Sequence, residues 1–212
     1  MNNPGPGDID TRLDISLDIA IESALWDSFA EAGALAETAI GAALQHADAE
    51  LFPGAEVSLL LCDDAFIRAL NARWRGQDKP TNVLSFPAAT DPAATPMLGD
   101  IAIAFETLAR EAEDEGKSLR AHYVHLLVHG ALHLVGYDHQ SDAEAEVMER
   151  LERACLASLG IDDPYRIAVD RDDFGVKQSK AIVNDSKDSM RGADGKSVST
   201  FPYPARDNAG RP

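Results

Sequence analysis

His129, His133 and His139 are spaced H-x-x-x-H-x-x-G-x-x-H along His129-Gly130-Ala131-Leu132-His133-Leu134-Val135-Gly136-Tyr137-Asp138-His139. Residues four apart on an α-helix lie on one face, about one turn apart, so the first two imidazoles aim at a common point. Gly136 follows, and glycine accepts the left-handed conformation with which helices end. A reversal there returns His139 to the side of the first two. Three imidazoles held in this way form an open tetrahedral zinc site, one ion per chain, with water in the fourth position. Five of the six histidines fall between His122 and His139, a clustering that composition alone would not give. The donor set does not fix the metal, because three imidazoles also suit nickel or copper. His125, one turn before His129 on the same face, is expected to pack in the core.

The elements that must position these residues are legible from periodicity. Ile15, Leu17 and Ile19 alternate with Ser16 and Asp18, and Val57–Cys62 is an apolar run with Val57, Leu59 and Leu61 on one face; each reads as a strand. Two further strands are expected over Thr81–Phe86, stopped by Pro87, and over Gly99–Phe105. Ala34–Ala49 reads as a helix. Asp63 is placed to cap a second helix whose stripe is Phe66, Ile67, Leu70 and Trp74. Glu106–Glu115 reads as a charged, exposed helix ending at Gly116. Ser118 is placed to cap the histidine helix, which is apolar nearly all round and therefore central and buried. Ser141 with Glu144 forms a capping box, opening a last helix with Val147, Met148, Leu151 and Cys155 inward and Gly160 at its end. The expected fold is α+β, a small mixed sheet of about four strands packed with about five helices around the His-bearing helix. Residues 1–164 read as one domain and residues 165–212 as a disordered C-terminal tail of charge, Ser, Gly and Pro. Ala88–Pro96 reads as a mobile loop.

Bulk properties narrow the function classes. The net charge is −17, and it falls entirely in residues 1–159, which carry 27 acidic and 10 basic side chains. Nucleic-acid binders are normally basic, so any RNA contact must use a local groove. Cys62 and Cys155 sit in apolar surroundings and read as reduced thiols. Met1–Asp10 is polar with no apolar run, and no segment approaches the ~20 apolar residues of a membrane span. The expected location is the cytoplasm, without a membrane partner.

The histidine spacing is shared with the metzincin proteases, H-E-x-x-H-x-x-G-x-x-H, but Gly130 stands where those proteases carry the glutamate general base. Asp138 is placed either to orient a ligand imidazole or to cap the turn. Three further stretches accompany the motif: Leu70-Asn71 with Trp74-Arg75-Gly76, Asp78-Lys79-Pro80-Thr81-Asn82-Val83-Leu84-Ser85-Phe86-Pro87, and Leu98-Gly99-Asp100-Ile101. Together they resemble the YbeY family of ribosomal RNA maturation endoribonucleases over roughly residues 15–165. The resemblance implies zinc on His129, His133 and His139, and a functional arginine at Arg75. It also implies metal-dependent cleavage of single-stranded RNA, with roles at the 3′ end of small-subunit ribosomal RNA and in ribosome quality control.

The residues suit that chemistry. Zinc brings the pKa of bound water toward ~7. Arg75, planar and permanently charged, suits the charge that builds on a phosphorane. Arg73 and Lys79 are candidate RNA-binding residues, with Lys117 and Arg120 as further basic groups at the rim. Two other readings compete: a zinc hydrolase of another substrate, such as a metzincin-like peptidase lacking its Glu base, and a non-catalytic ribosome assembly factor with structural zinc. The last would need a fourth ligand, from Asp138 or another histidine. Its acidic surface would meet the small subunit through a basic ribosomal protein or a GTPase.

Overall fold

The computed structural model describes residues 14–165. The stretch read as a tail lies outside the described residues except for Tyr165. In chain order the elements are β1 (Ile15–Ile21), a 3-10 helix (Ala24–Ser28), α1 (Ala32–His46), β2 (Ala55–Cys62), α2 (Asp64–Arg75), β3 (Val83–Pro87), β4 (Met97–Ala104), α3 (Phe105–Asp114), α4 (Leu119–Leu134) and α5 (Asp142–Ser158). The strands form one mixed sheet in the order β1-β2-β4-β3. β1 runs parallel to β2 and β2 parallel to β4, whereas β3 is antiparallel to β4, with Ser85 opposite Ile101 and Pro87 opposite Gly99. The α+β expectation therefore holds, with four strands and five α-helices among the described residues.

Successive strand side chains point to opposite faces, and here both faces are covered. Val57, Leu59, Leu61, Val83, Ile101 and Ile103 join the larger core with α1, α4 and α5. Leu60, Cys62, Leu84, Ala102 and Ala104 face the other way and pack with Ile67 and Leu70 of α2. α4 is buried nearly all round, as its sequence requires, and seats on β3 and β4 through Gly130. A Cβ at that position would stand 3.1 Å from Ser85 Oγ and 3.2 Å from two Ile101 carbons. Tyr123 ties the other end of α4 down. Its ring packs on Trp26 and Phe29, and its hydroxyl donates to Ala32 O at 3.2 Å.

Several local expectations are corrected. Phe66 is exposed and Trp74 half-buried, so the buried stripe of α2 is Ile67, Leu70 and Asn71. On α5, Val147 is exposed and Glu152 takes an inward place beside Met148, Cys155 and Leu156. α3 is less exposed than its charge suggests, since Thr107, Leu108 and Ala112 are buried. The 3-10 helix has no periodic signal in the sequence, yet its Trp26 is buried and donates to Cys62 O at 2.9 Å. The caps form as expected: Asp63 accepts from Phe66 N, Ser118 from Ala121 N, and Ser141 and Glu144 close a reciprocal box. Cys62 and Cys155 are buried and free. No helix among the described residues is long and apolar enough to cross a membrane.

Candidate metal centre

α4 ends at Leu134, and the way it ends builds the site. Gly136 has φ 92°. Gly136 N donates to His133 O and Tyr137 N to Leu132 O, each at 3.1 Å. This pair of bonds is the Schellman closure of a helix C-terminus, which a left-handed residue makes possible. The reversed chain is pinned by the Tyr137 hydroxyl, which donates to Ala47 O at 2.9 Å just past α1. Asp138 caps the turn rather than serving an imidazole: its Oδ1 accepts from His139 N at 2.8 Å and its Oδ2 from Gln140 Nε2 at 2.7 Å.

The three imidazoles come together as the spacing implies. Ring centroids are 4.6 Å apart for His129 and His133, 5.5 Å for His129 and His139, and 5.1 Å for His133 and His139. One potential ligand atom from each lies within 4.8 Å of the others, so the trio can hold a metal ion. The donor chemistry fits such an ion. His129 Nδ1 lies 2.7 Å from Glu152 Oε1, and His133 Nδ1 lies 2.8 Å from the carbonyl oxygen of Tyr137. Carboxylate and carbonyl oxygens only accept, so both Nδ1 atoms carry the proton. The Nε2 lone pairs then face each other across 3.0 Å. Two nitrogens at about 2.0–2.1 Å from one tetrahedral zinc would stand about 3.3 Å apart.

Glu152 is the functional neighbour that sequence reasoning missed. It is 1% exposed, and its Oε2 accepts from His125 Nε2 at 3.3 Å and from the Tyr165 hydroxyl. Burial alone would raise its pKa. Hydrogen bonds from His125 and His129 outweigh that and hold the carboxyl well below the usual carboxylate range. Burial first, and then the Glu152 charge, push the Tyr165 phenol up, so it remains a donor. The signal that could have found Glu152 is its place on the stripe Met148-Leu151-Glu152-Cys155. An acid on an apolar stripe needs a partner.

Arg75 is the last residue of α2, on the opposite face of the sheet from α4. Its Nη2 donates to Ser85 O at 3.2 Å, on the edge strand whose Ser85 hydroxyl backs Gly130. The expected arginine and the histidine helix are thus fixed to the same residue of β3. The other cations are dispersed. Arg73 is exposed with its guanidinium 4.8 Å from the Trp74 ring centre, and Lys79 is exposed in the loop whose carbonyl accepts from Asn71. Arg120 pairs with Glu31 at 3.2 Å and Lys117 with Glu115, so acids accompany both. His125 packs in the core, as expected. Asn82, in the Thr81–Phe86 stretch, is fully buried, accepts from Val83 N and donates to Glu111, which also pairs with His122.

Fold and cluster together define a protein built around a potential metal centre on its central buried helix. Comparison with known proteins gives the family. The family model for Endoribonuclease YbeY matches residues 23–160. The chain is 56% identical over 150 residues to the Endoribonuclease YbeY of Methylocella silvestris, covering 71% of this chain and 85% of that protein. It is 58% identical over 156 residues to that of Beijerinckia indica subsp. indica, covering 70% and 76%. It is 55% identical over 153 residues to that of Rhodopseudomonas palustris, covering 70% and 88%. The chain belongs to the YbeY endoribonuclease family.

Proposed function

We propose that this chain is a cytoplasmic, zinc-dependent endoribonuclease that cuts single-stranded RNA in ribosomal RNA maturation, including the 3′ end of small-subunit RNA, and in ribosome quality control. The observation that carries this reading is the convergence of His129, His133 and His139 on one point, with two Nδ1 atoms already engaged behind it. Family membership supplies the RNA substrate. Zinc held by the trio would supply Lewis acidity and would bring the pKa of water toward ~7.

The chain's own residues do the rest. Arg75, fixed to the Ser85 carbonyl, offers a permanent planar cation to a phosphodiester and to the charge that builds in its transition state. Arg73 and Lys79 would meet flanking phosphates from the exposed end of α2 and its following loop. The overall charge of −17 repels RNA elsewhere, which confines binding to this edge and leaves acidic surface for basic ribosomal proteins or a GTPase on the small subunit.

The competing readings lack support in the geometry. A metzincin-like peptidase places a carboxylate where this chain has Gly130, and a Cβ there would already stand 3.1 Å from Ser85 Oγ and 3.2 Å from Ile101. A closed structural zinc needs a fourth ligand, and the potential ligand group found among the described residues consists of the three histidines. Asp138, the nearest acid in the turn, is engaged with His139 N and Gln140.

The test is zinc content and ribonuclease activity of His129→Ala and Arg75→Glu. The expected result is loss of zinc and cleavage in the first, and retained zinc with lost cleavage in the second. Full zinc and full cleavage in both would overturn the reading. Cleavage surviving only in Arg75→Glu would remove the arginine's role.

A further inference from the structure

We propose that Glu152 is the positioning residue of the histidine site: its carboxylate accepts a hydrogen bond from His129 Nδ1–H, fixing the tautomer that aims Nε2 at His133, while Tyr165 latches the carboxylate from its other oxygen. The inference rests on the metal reading above and assigns one charged acceptor to one ligand.

A buried carboxylate is costly unless several donors repay its lost hydration. Glu152 has three. His129 Nδ1 approaches Oε1 at 2.7 Å, while His125 Nε2, at 3.3 Å, shares Oε2 with the Tyr165 hydroxyl. If the acid served only to hold α5 against α4, His125 would be partner enough. The shorter bond, however, goes to the candidate ligand. His133 reaches the same tautomer by a neutral route, through the Tyr137 carbonyl supplied by the turn. The partner of His129 is an anion, the kind of acceptor that orients a ligand imidazole and increases the basicity of its other nitrogen.

Tyr165 makes the acceptor rigid. Its ring packs edge-on to His125 at 5.7 Å. Arg153 lies 4.8 Å from the centre of that ring, and its Nε pairs with Asp163 at 3.5 Å. The segment after α5 is thus folded back over Glu152, and exclusion of water there strengthens each bond to the carboxylate.

The experiment uses the full chain stripped of metal. Zinc is titrated in competition with a chromophoric chelator for wild type, Glu152→Gln, Glu152→Leu and Tyr165→Phe. Side-chain 15N–1H correlation spectra give the His129 tautomer of the metal-free forms. Glu152→Leu should weaken zinc binding by about 10–100-fold and shift His129 from the Nδ1–H toward the Nε2–H tautomer. Glu152→Gln, which keeps a neutral acceptor, should restore the tautomer and recover part of the affinity. Tyr165→Phe should fall by a few fold. A purely structural role would not produce this order. Should Glu152→Leu fail to fold, Glu152→Gln and Tyr165→Phe decide the matter. Wild-type zinc affinity and tautomer in both would overturn the inference while leaving the metal site standing. A wild-type chain that binds no zinc removes the site and this inference together.

Discussion

Ser85 crowds the position of a side chain at Gly130: a Cβ there would lie 3.1 Å from its hydroxyl oxygen. The glycine between the first two histidines is therefore a packing residue that lets α4 sit on β3 and β4. Gly130→Ala should gain about 1 kcal/mol of helix propensity and lose about 1–3 kcal/mol to overpacking, so thermal unfolding should show a small net loss. Gly130→Glu, which restores the metzincin pattern, should unfold far more readily and show no peptidase activity. A stable Gly130→Glu variant that cleaves peptides would contradict this packing argument.

Gly99 should be the least replaceable glycine of the sheet. Its φ is 145°, and an added Cβ would stand 2.3 Å from the Phe86 carbonyl oxygen and 2.9 Å from Leu134, the last residue of α4. Gly99→Ala should cost about 3 kcal/mol or more in denaturant unfolding, through strain and collision together. Because Leu134 follows His133 directly, zinc affinity should fall as well. An unchanged unfolding midpoint would show that β3 and β4 can separate cheaply.

Asp100 gives a pH signature. Burial raises its carboxyl pKa, partly offset by a hydrogen bond from Ser58. With the folded pKa above the unfolded one, the residue's contribution is most favourable below the unfolded value of ~3.9 and is lost as pH rises through the folded value. Asp100→Asn cannot ionise. Its stability relative to wild type should therefore increase between pH 4 and pH 7, as read by urea unfolding at both. A relative stability that falls over that interval would reverse the assigned sign.

The two thiols should be inert in the folded chain. Burial raises both pKa values, Cys155 to about 12 and Cys62 further, and both side chains are buried. Since the thiolate is the reactive form, a thiol reagent at neutral pH should label neither in buffer and both in denaturant. Rapid labelling of the native chain would mean that a core element opens.

Much of this site could be read from residues and spacing. The i, i+4 pair and Gly136 specify their own geometry, because helix periodicity and a left-handed cap are local properties. The same holds for the caps at Asp63, Ser118 and Ser141 and for the alternation in β1. What was not legible depends on distant partners. Phe66 and Ile67 are equally apolar, and which one turns inward is settled by where the sheet lies against α2. Val147 points outward for the same kind of reason. Glu152 reads as a surface acid until α5 is laid beside His125 and His129. The 3-10 helix is too short to show a period, and only the packing of Trp26 on Phe105 and Tyr123 reveals its place.

The most direct measurement pairs metal content with cleavage of a single-stranded RNA by wild type and His133→Ala, each purified without chelator and assayed before and after metal removal and zinc return. The account predicts about one zinc per wild-type chain, cleavage that vanishes on stripping and returns with zinc, and neither zinc nor cleavage in His133→Ala. A His133→Ala chain that keeps its zinc and cuts RNA at the wild-type rate would contradict it.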